Sequence, residues 1–169
     1  MTDVRREKVG DEPAIRHVNE RAFGAAEEAN LVDALRKKDA FVLSMVAADN
    51  GQVVAHILFT ETILAETTSP VRVLGLGPMA VLPSHQRRGI GSQMLQAALN
   101  ECRQLDYDAV VVVGHPEYYP KFGFVPAKLR GLRCEFDVPD EAFMVLELRE
   151  NALAGRTGLV KYQPEFRDA

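Results

Sequence analysis

The spacing of hydrophobic and polar positions changes several times along the chain, and each change marks an element. Val4 to Val9 is short and charged, the pattern of an edge strand. From Glu12 to Phe23 the apolar residues Ile15, Val18, Ala22 and Phe23 recur at helical spacing. Pro13 suits the first turn of that helix, and Asp11 is placed to cap it. A second helix is predicted over about Glu27 to Lys38, with Leu31, Val32 and Leu35 inward and Lys37 and Lys38 at the favourable end of the helix dipole. Phe41 to Ala48 and Gln52 to Leu64 read as two strands. The Asp49-Asn50-Gly51 between them supplies the positive φ that a tight hairpin demands. His56 in the second strand reads as a strand histidine satisfied by its neighbours rather than as a catalytic group. Glu66 to Pro70 is a polar loop, and a central strand begins at Val71.

Gly75, Gly77 and Pro78 interrupt that central strand. Proline cannot donate to a ladder, and a glycine within a strand marks a bulge or a close backbone approach. The strand is therefore expected to bend near Gly77-Pro78 and part from its neighbour, Ala109 to Gly114. Between the two, Ile90, Met94, Leu95, Ala98, Leu99, Cys102 and Leu105 fall on one helical face, which makes the connection a βαβ crossover. Asp108 to Gly114 is an unbroken apolar run, as suits a strand covered on both faces. His115 to Phe124 reads as a short helix or turn ending at Gly123. Leu129 to Val138 and Ala142 to Leu148 are predicted as strands joined at Pro139-Asp140-Glu141, followed by a loop from Asn151 to Gly158 and an extended tail. With no repeat and no linker, residues 1–169 read as a single domain of mixed α/β class.

Chemistry concentrates where the central strand meets the helix. Strand, glycine-containing turn and helix, in that order, aim a helix N-terminus at an anion, because first-turn N–H groups and the positive end of the dipole both favour phosphate. The turn reads Gln86-Arg87-Arg88-Gly89-Ile90-Gly91. Its glycines let a phosphate approach the backbone, and Arg87 and Arg88 add charge. A dinucleotide fingerprint is disfavoured by the missing third glycine, and a P-loop by the missing Gly-Lys-Ser/Thr.

Composition narrows the classes further. The 169 residues are 47% hydrophobic and 26% charged, as in a soluble globular protein. The net charge of −4, with no long basic run, argues against a nucleic-acid binder. Cys102 and Cys134 have no metal-ligand spacing, so no metal is expected, and Cys102 reads as a buried free thiol. No segment approaches the length of a membrane span and no apolar leader precedes Asp11, so a cytoplasmic location is expected.

Gln86 to Gly91 resembles the acetyl-CoA signature of the GCN5-related N-acetyltransferases (GNAT), Gln/Arg-x-x-Gly-x-Gly/Ala, and Ala80-Val81-Leu82-Pro83 matches the strand end before it. A second mark, Tyr119-Pro120-Lys121-Phe122-Gly123-Phe124, matches the family's Tyr-x-x-x-Gly-Phe. Gly114 to Ala127 and Gly158 to Phe166 further resemble the bacterial YhbS-type predicted acetyltransferases. The resemblance implies a mostly antiparallel sheet of about seven strands flanked by helices, with a bulged, splayed central strand pair that receives the pantetheine arm. It implies acetyl-CoA as cosubstrate, with Met79, Ala80, Val81, Gln86, Arg87, Arg88, Gly89, Ile90, Gly91 and Ser92 as cofactor-binding residues. His115 stands near the place of a family asparagine, whose CoA contact is not carried over.

The implied reaction is transfer of the acetyl group to a primary amine of a small molecule or peptide, by direct attack in a ternary complex. Tyr119 matches the family's general acid toward the CoA sulfur, with Tyr118 as its neighbour to test. The oxyanion donor is expected near Met79 or Ala80. The base stays open among Glu61, Glu117, His115 and a water chain, and acceptor contacts are expected on Phe23 to Asn30. The alternative is an acyl-CoA-binding sensor or regulatory module without turnover. Exposed strands near the C-terminus are of a kind that pair across a two-fold axis, as in a homodimer.

Overall fold

The computed structural model describes residues 2–67 and 69–168. In chain order the elements are β1 (Thr2–Arg6), α1 (Glu12–Phe23), α2 (Glu27–Lys37), β2 (Phe41–Asp49), β3 (Gln52–Glu61), β4 (Ile63–Ala65) and β5 (Val73–Val81). There follow α3 (Ile90–Gln104), β6 (Ala109–Val113), β7 (Val125–Pro126), β8 (Leu132–Cys134), β9 (Phe143–Glu147) and β10 (Gly158–Lys161), with five short 3-10 turns among them. The fold is mixed α/β. A seven-stranded sheet has the order β1-β2-β3-β5-β6-β9-β7, and a three-stranded sheet has the order β4-β10-β8. Among the pairings of the large sheet, β5–β6 is parallel while β1–β2, β6–β9 and β7–β9 are antiparallel.

The chain divides into two compact units, the first made of Met1–Phe59, Gly77–Asn100 and Pro164–Ala169, the second of Thr60–Leu76 and Glu101–Gln163. In the first unit, Ile15 and Val18 of α1 and Val32 and Leu35 of α2 are buried, and most of β2 and β3 is buried as well. Asn50 and Gly51 turn the β2–β3 hairpin with φ of 51° and 84°, as the Asn-Gly signal requires. His56 is fully buried and satisfied. Its Nδ1 lies 3.2 Å from the Asn19 amide nitrogen and its Nε2 3.0 Å from Ser44 Oγ. The Ser44 hydroxyl donates to Glu7, which also receives the Arg36 guanidinium. Nε2–H must then donate to Ser44 and Nδ1 accept from Asn19, which fixes a neutral ring. Burial, with Arg36 adding to it, lowers its pKa to about 3.

Differences from the expected elements each have a local cause. β1 stops at Arg6 because Lys8 to Asp11 forms a turn, closed by Asp11 N–H on Lys8 O at 3.0 Å, and Val9 is left exposed. Asp11 precedes α1 but does not cap it with its side chain. Its carboxylate instead accepts from the Arg5 guanidinium at 2.7 Å and from the Lys8 N–H at 2.8 Å. β3 ends at Glu61 because both the N–H and the hydroxyl of Thr62 donate to Val73 O, after which β4 joins the smaller sheet. The expected strand over Leu129 to Val138 is mostly not one. Ala127–Arg130 is a 3-10 turn ended by left-handed Gly131, and only Leu132–Cys134 is extended, pairing with β10. Asp140–Ala142 is likewise a 3-10 turn, and β9 pairs with β6 and β7. The tail is extended at β10 and then turns 3-10 over Pro164–Asp168.

In the second unit the β5–β6 ladder runs from Val73–Ala109 to Leu76–Val112 and ends there, one residue before the Gly77-Pro78 peptide, which is cis. Ala109 to Val112 are fully buried, as the unbroken apolar run predicts. Gly75 is needed for close approach: a Cβ there would stand 2.8 Å from the Tyr162 ring and 3.0 Å from the Thr62 methyl.

Candidate active site

The first unit holds the turn expected to bind phosphate. β5 leaves the sheet at Val81, Pro83–His85 makes one 3-10 turn, and α3 begins at Ile90. The Gln86 side-chain amide donates to Val81 O at 3.0 Å, so that side chain ties the turn to the strand it follows. Arg87 and Gly89 both take left-handed backbone, with φ of 63° and 79°. Alternation of this kind curls successive N–H groups into an anion-binding concavity. For an arginine it costs roughly 1–2 kcal/mol, a strain that a local function would justify. Apart from its chain neighbours, no atom lies within 4 Å of the place a Cβ on Gly89 would occupy. Gln93 N–H donates to Gly89 O at 3.0 Å, so α3 starts its ladder from the glycine. The amides of Ile90 and Gly91 thus precede the first bond of the helical ladder.

Charges surround this turn. Arg88 Nη2 lies 3.7 Å from Asp49 Oδ2, and His85 Nε2 lies 3.2 Å from the same oxygen. Burial pushes the Asp49 carboxyl up, but the hydrogen bond from His85, the N-terminal ammonium and, least of the three, the charge of Arg88 prevail and hold it below its ordinary value. Of the residues expected to bind the cofactor, Met79, Ala80, Val81, Gln86, Arg87, Arg88, Gly89, Ile90, Gly91 and Ser92 all lie in this unit, on the strand end, the turn and the first helical turn. The donor set (helix-start amides, two arginines and an open glycine) fits a pyrophosphate.

The second unit holds Tyr119. His115 to Gly123 forms the expected short turn, with a 3-10 stretch Tyr119–Phe122 closed by Gly123 at φ 98°. The Tyr119 ring is 8% exposed, edge-on to Tyr118 at 5.2 Å and to Phe124 at 5.6 Å between centroids. Gly114, at the end of β6, exists to admit it, since a Cβ there would fall inside 3.0 Å of the Tyr119 ring. Burial, helped by Tyr118, raises the phenol to about 12. It is therefore a neutral O–H donor throughout the physiological range. Among the candidate bases, His115 and Glu117 are exposed, and Glu61 accepts the Tyr107 hydroxyl at 2.6 Å, with the Arg72 guanidinium 4.1 Å above that ring. Cys102 is buried and raised to about 12 by its burial, an inert thiol. Among the described residues no cluster of three His, Cys, Asp or Glu side chains could hold a metal, and no helix is long and apolar enough to cross a membrane.

The contacts that Asp49, Gly114 and Tyr107 make were not legible in the sequence. Asp49 looks there like a turn residue, and only the folded hairpin carries it to the turn 36 positions ahead at His85.

Comparison with known proteins settles the family. The family model described as an acetyltransferase (GNAT) domain matches residues 3–127. The chain belongs to the GNAT acetyltransferases. Among GNAT relatives, an uncharacterized N-acetyltransferase of Escherichia coli K12, YhbS, is 35% identical over 164 residues, spanning 92% of this chain and 93% of its own. The crystal structure of E. coli YhbS in complex with CoA superposes with a TM-score of 0.93 at 33% identity, covering 98% of this chain and 92% of that one. A GNAT family acetyltransferase from Brucella melitensis in complex with acetyl-CoA gives a TM-score of 0.81 at 30% identity, covering 98% of both chains. The seven-stranded GNAT sheet and the acetyltransferase assignment both agree with the sequence reading.

Proposed function

We propose that residues 1–169 act as one N-acetyltransferase domain that moves the acetyl group of acetyl-CoA onto a primary amine of a small molecule or peptide, in the cytoplasm where acetyl-CoA is made available. One observation carries the reading: in a GNAT chain, the turn before α3 holds Arg87 and Gly89 left-handed beside an open backbone and two arginines. The CoA and acetyl-CoA complexes of the two similar proteins support acetyl-CoA as the cosubstrate.

The residues divide the work as follows. The turn from Gln86 to Ser92 takes the pyrophosphate, Gln86 holding the turn to β5 and Arg87, Arg88 and the helix-start amides supplying positive potential. The strand end Met79 to Val81 takes the pantetheine amides as an added β-segment. An alkylammonium has a pKa of roughly 10.4, so the amine must first lose a proton to a base or to water. The neutral nitrogen forms its bond to the thioester carbon and gives up one further proton to a base or to water as the C–S bond breaks. The departing thiolate is met by the Tyr119 hydroxyl, and water returns the proton that the tyrosine gives up. A phenol near 12 is a weaker acid than a free thiol at about 8.5. Tyr119 therefore stabilises the thiolate as a hydrogen-bond donor, and full proton transfer follows as the same dry surroundings raise the thiolate. The rest of the rate comes from holding amine and thioester in line. The α1–α2 junction, where Phe23 is partly exposed and Gly24 is left-handed, is where acceptor contacts are expected.

The test is release of free CoA thiol from acetyl-CoA across a panel of amines and peptides, with Tyr119→Phe alongside. Amine-dependent thiol release, reduced about 10²–10³-fold in Tyr119→Phe, supports the reading. Tight CoA binding with no turnover on any acceptor would identify a sensor module instead.

A further inference from the structure

Asp49 ends β2, just before the Asn50-Gly51 turn, yet its carboxylate reaches a different element. His85 Nε2–H donates to Asp49 Oδ2 at 3.2 Å, and His85 Nδ1 is 2.8 Å from Ser84 Oγ. Arg88 Nη2 stands 3.7 Å from the same carboxylate oxygen. The side chains of Asp49 and His85 are only 14% and 17% exposed, whereas Arg88 is 53% exposed and reaches solvent. One largely buried acid thus grips both ends of the segment from His85 to Arg88, and within that segment lies the strained, left-handed Arg87.

A carboxylate beside an anion site opposes the anion. Such an acid can help binding only through what it holds in place. We propose that Asp49 is a positioning residue for the cofactor, fixing His85 and Arg88 so that the backbone from Arg87 to Gly89 is pre-shaped for a pyrophosphate. This rests on the acetyl-CoA reading above. The strain at Arg87 supports it, because left-handed backbone persists where neighbours over-determine it, and the two contacts made by Asp49 add to the Gln86 and Gln93 hydrogen bonds that hold this segment. Preorganisation of this kind appears as affinity, since a turn already shaped does not have to be ordered by its ligand.

The two possible roles of Asp49 give opposite signs, which makes the test clean. Asp49→Asn keeps the shape and removes the charge. Calorimetric titration with acetyl-CoA is expected to show Kd raised about fivefold to tenfold, the worth of a charged hydrogen bond and its ion pair. In the thiol-release assay the loss should fall on KM for acetyl-CoA rather than on kcat. An unchanged or tighter Kd overturns the inference, because it makes the acid a bystander or a liability. His85→Gln reads the same grip without touching β2, and it should also raise Kd. The double variant should be no weaker than the weaker single one, whereas additive effects would mean that Asp49 does not act through His85. Failure of the wild-type protein to bind acetyl-CoA overturns the functional reading and this inference together. Binding by the wild type with no change in either variant overturns this inference alone.

Discussion

Gly114→Ala changes one methyl group and should act on Tyr119 alone. The new Cβ would meet the ring edge inside 3.0 Å and would also stand 3.1 Å from Cδ2 and 3.3 Å from Cζ. Restoring ordinary carbon–carbon contact of about 3.5–4.0 Å makes the ring retreat by roughly 1 Å. The ring cannot retreat freely, because Tyr118 and Phe124 pack edge-on against it. Overpacking of this kind costs about 1–3 kcal/mol of stability. For a domain of this size that is a fall in Tm of several degrees, on the order of 3–8 °C. A displacement of about 1 Å at a group that must meet the thiolate costs on the order of 10²-fold in rate. The backbone at Gly114 lies outside the left-handed range, so alanine adds no conformational penalty of its own. The assay is thiol release at saturating acetyl-CoA, with calorimetric Kd and Tm measured on the same preparations. The expected result is a kcat loss close to that of Tyr119→Phe, an unchanged Kd for CoA, and a double variant no worse than either single one. If Gly114→Ala melts lower as expected but keeps full kcat, the Tyr119 hydroxyl is not the acid.

Three further outcomes follow from the same geometry. Because Tyr119 is raised to about 12 and must be protonated to donate, its contribution is lost only as pH rises through that value; kcat/KM should climb with amine deprotonation and show no falling limb up to pH about 10.5. A descending limb near pH 9–10 that vanishes in Tyr119→Phe would contradict this. His56, neutral in the fold with its pKa lowered to about 3, binds a proton only in the unfolded chain between about 3 and 6.5. Stability should thus fall as pH drops below 6.5, by about 2 kcal/mol from this group at pH 5, and urea unfolding of His56→Gln should show that much less change between pH 7 and pH 5. Gly75→Ala should lower Tm through the Tyr162 ring that it meets at 2.8 Å, and the same substitution should cost less in a Tyr162→Ala background than in the wild type.

The long periodic elements and the turn signals were legible in the sequence because each rests on local chemistry. The apolar stripe on α3, the unbroken valine run of β6 and the Asn-Gly hairpin need no partner to be recognised, and the cluster Gln86 to Gly91 is contiguous. What stayed hidden depends on contacts far apart in the chain. Leu129 to Val138 has the composition of a strand, but Gly131 takes left-handed backbone at φ 76° beside the Thr157 side chain, and the chain leaves the large sheet there. Thr62 cuts the second hairpin strand because its hydroxyl finds Val73 O, a partner 11 residues away. Gly75 and Gly114 could be noticed as glycines, but not which ring each makes room for. The same holds for the acceptor: the stretch expected to contact it, Phe23 to Asn30, carries little pattern that would name a ligand.

The claim that the turn before α3 binds the pyrophosphate of acetyl-CoA is tested most directly at Gly89. Its φ of 79° tolerates asparagine and aspartate better than a longer side chain, and the space beside it is open. Gly89→Asn and Gly89→Asp differ only in charge, so calorimetric titration of both with acetyl-CoA isolates the electrostatics of the site. A carboxylate about 4 Å from a phosphate at an effective dielectric near 20 opposes binding by roughly 4 kcal/mol. The account predicts that Gly89→Asn binds within about tenfold of wild type and that Gly89→Asp binds at least about 100-fold more weakly than Gly89→Asn. Equal affinity of the two variants, with both folded, would place the cofactor's phosphates elsewhere and contradict it.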